Sequence, residues 1–274
     1  MLCVLCVNEM RIAEKLQELK VKGEKALAIF VTIGDPDLDT SLEIFSHLHE
    51  WGADIIEFGI PYSDPLMDGP ILQQSYRRSL NMDFSLRQLP GFIEKVRSRS
   101  DIAALVMTCF NPVFKYGTRR FFQDISSAGV DSVLITDLPP EEWGENMDLA
   151  KSFNLGTIFL ITPTTSIRRM ETIAALSRPF IYCVSRTGIT GTRESLPEEL
   201  QSFITLVRGV VKEPLLIGFG ISTPDQARVA SRWADGIVVG SAAVSVIERN
   251  LDSREQMMRS MEKFVKSLKE AIVT

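Results

Sequence analysis

Short apolar runs alternate with longer amphipathic stretches along most of the chain. Eight of the runs read as strands: Ala26–Ile33, Asp54–Ile60, Ala103–Met107, Ser132–Ile135, Thr157–Ile161, Phe180–Val184, Pro214–Gly218 and Gly236–Val239. They are nearly continuous in aliphatic residues, the pattern of strands covered on both faces in a parallel sheet. Between them, apolar positions recur at helical spacing over Thr40–Glu50, Ser85–Ser98, Thr118–Ala128, Ser166–Leu176, Pro197–Val207 and Pro224–Trp233. A last helix is expected at about Arg254–Ala271, and Ile12, Leu16 and Leu19 share one face of a helix before the first strand. Strands separated by helices over roughly 250 residues predict an α/β fold, a (β/α)8 TIM barrel with an extra N-terminal helix. A doubly wound open sheet is the alternative, but no G-x-G-x-x-G follows the first strand.

No linker, low-complexity tract or block of like charge divides the chain. Residues 10–274 are therefore expected to form one barrel domain. Residues 1–9 stand outside the pattern: they are either a disordered extension or precede a translation start at Met10. They carry no basic segment and no small-residue cleavage site, which argues against a signal peptide.

The chain is 45% hydrophobic and 24% charged with a net charge of −5, values of a soluble enzyme rather than of a nucleic-acid binder, which needs a basic face. No apolar run approaches the ~20 residues of a membrane span. The cysteines are Cys3, Cys6, Cys109 and Cys183. Cys3 and Cys6 have C-x-x-C spacing, yet no second pair or histidine cluster accompanies them. His47 and His49 sit two apart on a predicted helix and face different ways. No metal site is expected, and the cysteine usage fits a reducing cytoplasm.

The chemistry concentrates in EFGIPYSDPLMDGP, residues 57–70. Glu57 lies inside an apolar strand, where a carboxylate is costly unless something pairs with it or uses it. Asp68 follows in a loop crowded with turn formers. One acid on a strand and one on the loop after it can be aimed at a single ligand. A buried glutamate has a raised pKa and can be protonated near neutral pH, whereas an acid on a solvated loop stays ionised. The structural alternatives are a buried ion pair for Glu57 and a turn-capping role for Asp68 before Gly69. In a barrel, functional residues come from the C-terminal ends of strands. Asp35, Asn111, Asp137 and Tyr182 also fall at or near such ends.

Three glycine-rich turns follow the last three strands. They are SRTGITGT over 185–192, GFGIS over 218–222, and GSA over 240–242, the last opening a short helix. Glycine lets backbone N–H groups approach an anion, and a helix N-terminus adds favourable partial charge. Two such turns after consecutive strands point to a phosphate. The turn at 185–192 is long, rich in Gly and Thr, and contains Arg186, with Arg193 just beyond; its composition suits a mobile lid.

Taken together, these stretches resemble the tryptophan synthase α subunit family, from about residue 10 to residue 272. FVTIGDP, EFGIPYSDPLMDGP, DLP, YCVSRTGITG, GFGIS and GSA occur in the family's order and spacing. The resemblance implies a retro-aldol cleavage of indole-3-glycerol phosphate to indole and glyceraldehyde 3-phosphate, with Glu57 and Asp68 catalytic. It places Phe30, Met107, Leu134, Leu160, Tyr182, Phe219 and Val238 around the indole. It assigns Gly191, Gly220, Gly240 and Ser241 to the phosphate and makes Thr190 the lid residue that positions the catalytic aspartate. It puts Asp64 and Asn111 against a β subunit, and Asp137 in coupling between subunits, within an α2β2 complex. The α chain has no cofactor of its own; pyridoxal phosphate belongs to the β partner. Cys109 stands where an aromatic residue, often tyrosine, is expected, and Thr136 where a small apolar residue is common. Both departures bear on substrate affinity rather than reaction class. Two other readings remain: a sugar-phosphate isomerase or epimerase on the same barrel, and a catalytically weak phosphate-binding subunit that activates a β partner.

Overall fold

The structure, a computed structural model, describes residues 11–184, 198–218 and 220–273. Its strands are β1 (Ala26–Thr32), β2 (Ile55–Gly59), β3 (Ala103–Thr108), β4 (Ser132–Ile135), β5 (Gly156–Thr157), β6 (Leu160–Ile161), β7 (Ile181–Val184), β8 (Leu215–Gly218) and β9 (Gly236–Val239). They form one sheet in the order β5-β4-β3-β2-β1-β9-β8-β7-β6, with every pairing parallel.

The two ends of that order are halves of one predicted strand, Thr157–Ile161. Ile158 N still donates to Val133 O on the β4 side at 3.0 Å, and Phe159 O accepts from Tyr182 N on the β7 side at 3.1 Å. Inward and outward side chains keep alternating across the break: Ile158 faces the barrel interior and Phe159 the helix layer. The sheet thus closes as an eight-stranded barrel in which one strand exchanges neighbours halfway along.

Alternation also divides the core in two. Along β1, Ala28 and Phe30 point into the barrel, while Leu27, Ile29 and Val31 point to the surrounding helices. Burial on both faces explains why the strands read as continuous apolar runs. The expected N-terminal helix forms over Arg11–Lys22, and its Ile12, Leu16 and Leu19 pack with the interior cluster. Each contributes about 1.5–3 kcal/mol of burial. Arg11 fixes the helix to the barrel through Asp131, whose other oxygen accepts from Ala104 N.

Three helices are absent from the sequence reading: Pro70–Asn81, Phe110–Tyr116 and Glu145–Ser152. Pro70–Asn81 buries Ser75, Tyr76 and Ser79 rather than aliphatic residues, so it shows no apolar stripe. Polar contacts dock it instead. Ser79 Oγ donates to Ile33 O, Ser75 Oγ donates to Asp35 and is 2.7 Å from the Thr32 hydroxyl, from which it can accept, and the Arg78 guanidinium grips both oxygens of Asp35 at 2.7 and 2.9 Å. Asp35 is fully buried by these contacts, which makes it an anchor of this helix rather than a site residue. Residues 1–9, Arg186 and Arg193 lie outside the described residues, as do Cys3 and Cys6.

Candidate active site

A cavity of about 240 Å³ opens at the C-terminal ends of the strands. Glu57 projects into it from β2, in register with Phe30 on β1 and Leu105 on β3. Its side chain is fully buried, and neither carboxyl oxygen has a hydrogen-bond partner among the described residues. No lysine or arginine among the described residues pairs with it, so none of these forms the ion pair of the alternative reading. Burial pushes the carboxyl up to about 8, opposed among the described residues by the nearby Tyr182 hydroxyl. That hydroxyl pulls toward the ionised form without reaching hydrogen-bond geometry.

Asp68 enters the cavity from the loop after β2. Its Oδ2 accepts a 2.6 Å hydrogen bond from the Tyr62 hydroxyl, and its backbone carbonyl accepts from Gln73 Nε2 at 2.8 Å. The side chain is held by a tyrosine and, among the described residues, accepts no turn-capping bond from a backbone N–H. It is also less solvated than expected for a loop acid: burial raises its pKa, and the Tyr62 hydroxyl offsets that.

The apolar walls carry the predicted Phe30, Met107, Leu134, Leu160, Tyr182 and Val238. Two glycines make room for the rings. A Cβ at Gly59 would collide with the Phe30 ring, and one at Gly218 with the Tyr182 ring. A glycine inside a strand pattern signals such close approach. Leu72 and Thr136 complete the walls. Their spacing carries no such signal, nor does that of Tyr62.

At the other end, Gly218, Gly220, Gly240, Ser241 and Ala242 line the cavity. The helix Ser241–Glu248 starts there, with Gly240 as N-cap and no side-chain cap hydrogen bond. Its first N–H groups therefore point at the cavity free of side-chain competition, as an oxyanion ligand requires.

Asp64, Asn111 and Asp137 do not line the cavity but lie exposed on its rim. Asp137 Oδ1 accepts from Phe110 N at 2.6 Å, fixing the start of the helix Phe110–Tyr116. Thr190, Gly191 and Phe219 lie outside the described residues. Among the described residues no group of three or more His, Cys, Asp or Glu could hold a metal ion, and no helix is long and apolar enough to cross a membrane.

Residues 16–273 match the family model of the tryptophan synthase alpha chain. The chain belongs to the tryptophan synthase alpha chain family. A tryptophan synthase alpha chain from Citrifermentans bemidjiense is 42% identical over 263 residues, covering 96% of this chain and 98% of that one. One from Caldanaerobacter subterraneus subsp. tengcongensis is also 42% identical, covering 96% and 99%. Among solved structures, the tryptophan synthase subunit alpha from Legionella pneumophila superposes with a TM-score of 0.89 at 30% identity, over 96% and 98% of the two chains. As a tryptophan synthase alpha chain it is a carbon–carbon lyase of tryptophan biosynthesis, releasing indole and glyceraldehyde 3-phosphate from indole-3-glycerol phosphate. It works beside a β subunit in an α2β2 complex; that subunit holds the pyridoxal phosphate, and the α chain needs no cofactor. Family membership does not favour the isomerase reading or that of a catalytically weak activator.

Proposed function

We propose that Glu57 and Asp68 carry out the cleavage together. Glu57, protonated near neutral pH, donates to C3 of the indole ring and leaves a positive charge shared with the ring nitrogen. Asp68 accepts a hydrogen bond from the ring N–H and stabilises that charge. The Glu57 carboxylate then takes the proton of the hydroxyl on the carbon attached to C3. The C–C bond breaks, its electron pair returns to the ring, neutral indole leaves, and the hydroxyl carbon becomes the aldehyde of glyceraldehyde 3-phosphate. One group thus serves first as acid and then as base, which requires a pKa near the working pH. The observation that supports this reading is a fully buried carboxyl without a hydrogen-bond partner among the described residues, in the same cavity as a second acid.

Phe30, Met107, Leu134, Leu160, Tyr182, Phe219 and Val238 would hold the indole, and Gly191, Gly220, Gly240 and Ser241 the phosphate. Thr190 would be the lid residue. Asp64, Asn111 and Asp137 would face the β subunit. Leu66, Met67 and Phe114, on the loop and helix that follow β2 and β3, are 91%, 63% and 67% exposed. Apolar side chains so exposed on the rim that carries Asp64 and Asn111 support docking there. We also take residues 10–274 to be one domain and the cytoplasm to be its compartment. Both terminal helices, Arg11–Lys22 and Arg254–Ile272, pack into the barrel's cores, which supports the first.

Indole release from indole-3-glycerol phosphate, measured with and without a β subunit, tests the assignment. Glu57→Gln is expected to lower kcat by about 10²–10⁴-fold while still binding glycerol phosphate. Retention of wild-type kcat would remove Glu57 from the mechanism.

A further inference from the structure

Tyr62 lies six residues before Asp68 and turns its hydroxyl back onto Oδ2 at 2.6 Å. Its ring is buried and packs on Tyr76 of the helix Pro70–Asn81, with centroids 5.2 Å apart. The loop that carries Asp68 has little packing of its own: Leu66, Met67, Gly69 and Pro70 are exposed. A carboxylate on such a loop is free to change rotamer, and a donor on a rigid buried ring removes that freedom. Oδ2 is occupied in this way, while Oδ1 has no hydrogen-bond partner among the described residues. We propose that Tyr62 is a positioning residue of Asp68, holding Oδ2 so that Oδ1 is the oxygen presented to the ring N–H of the substrate. The proposal rests on the assignment of Asp68 to that N–H.

Several titratable groups face the pair. They are Glu57 on β2, Cys109 after β3 with Asp137 beyond it, Tyr76 on the neighbouring helix and Tyr182 on β7. None carries a positive charge. Burial disfavours ionised Asp68, and among the described residues the Tyr62 hydroxyl is the group that favours it. Losing the hydroxyl should therefore raise the pH at which Asp68 ionises, whereas losing mere packing should not.

Tyr62→Phe keeps the ring on Tyr76 and removes only the donor. The expected result is a kcat lowered about tenfold, the scale of one lost charge-assisted hydrogen bond, with a smaller change in KM. The acidic limb of kcat/KM should move to higher pH. 3-Fluorotyrosine at position 62 keeps the fold and is a stronger donor, so it should move that limb to lower pH. In an Asp68→Asn background, Tyr62→Phe should cost nothing further in affinity for indole-3-propyl phosphate, an analogue with the ring N–H and phosphate but no reacting hydroxyls. Three results would overturn the proposal: an unmoved acidic limb in both Tyr62 variants, a wild-type kcat in Tyr62→Phe, or an undiminished loss in the Asp68→Asn background. An Asp68→Asn enzyme with wild-type kcat would instead sink the reading of Asp68 on which the proposal stands.

Discussion

At the scale of single residues, the role proposed for Glu57 sets function against stability. Its carboxyl is fully buried, and burial raises its pKa from the ordinary 4.5 to about 8. Between those two values the native state keeps a proton that the unfolded chain releases. Stability therefore falls as pH rises through that window, by a few kcal/mol in all. Glu57→Gln removes the titration. It should match wild type near pH 4 and be more stable at pH 8–9, with a higher Tm in thermal scans run across that range. A Tm difference independent of pH would show that Glu57 does not hold its proton in the native state. The same acid should impose a basic limb near pH 8 on kcat/KM of the wild type. An acid within an apolar strand was legible from the chain alone because it breaks a pattern. The hydroxyl of Tyr62 was not, since nothing in a spacing of six residues tells where a tyrosine on a loop will point.

At the scale of elements, the helix Pro70–Asn81 joins the acid loop to the barrel. It begins two residues after Asp68 and is docked by polar contacts to the end of β1. The Asp35–Arg78 pair is central, with Asp35 fully buried and Arg78 20% exposed. Removing one partner of a buried pair leaves the other charge uncompensated. Asp35→Ala should therefore cost about 3 kcal/mol in urea unfolding and lower kcat as well, because the start of the helix sets where Asp68 lies. Loss of stability with unchanged kcat would separate the anchor from the loop. This element also marks where pattern reading ends. Helices with aliphatic faces, such as Ser166–Leu176, were foreseen, and the observed Ile167–Leu176 matches closely. A helix whose core face is Ser75, Tyr76 and Ser79 has no hydrophobic period to find.

At the scale of the whole molecule, the eight predicted strands and the helices between them were enough to propose a barrel, since parallel strands need crossover helices and a right-handed series of them closes. The exchange of neighbours at residues 156–161 lies beyond sequence patterning, because both halves keep the same inward and outward alternation. Closure places the described loops after β1 to β4 on one face, the face on which we propose that the β subunit docks. That face exposes Phe114 on the helix Phe110–Tyr116, whose first N–H is held by Asp137. An aromatic side chain 67% exposed to solvent contributes little to the fold of the lone chain, whereas buried aromatics dominate the affinity of interfaces. Phe114→Asp should leave the Tm of the isolated chain within a degree or two, because surface changes stay within about 0.5 kcal/mol. It should weaken association with the β subunit at least tenfold, the effect of losing about 1.4 kcal/mol or more at an anchor, as read by isothermal titration calorimetry. Equal affinity for both proteins would move the docking face away from this helix, and a large fall in Tm would mean that Phe114 serves the fold after all.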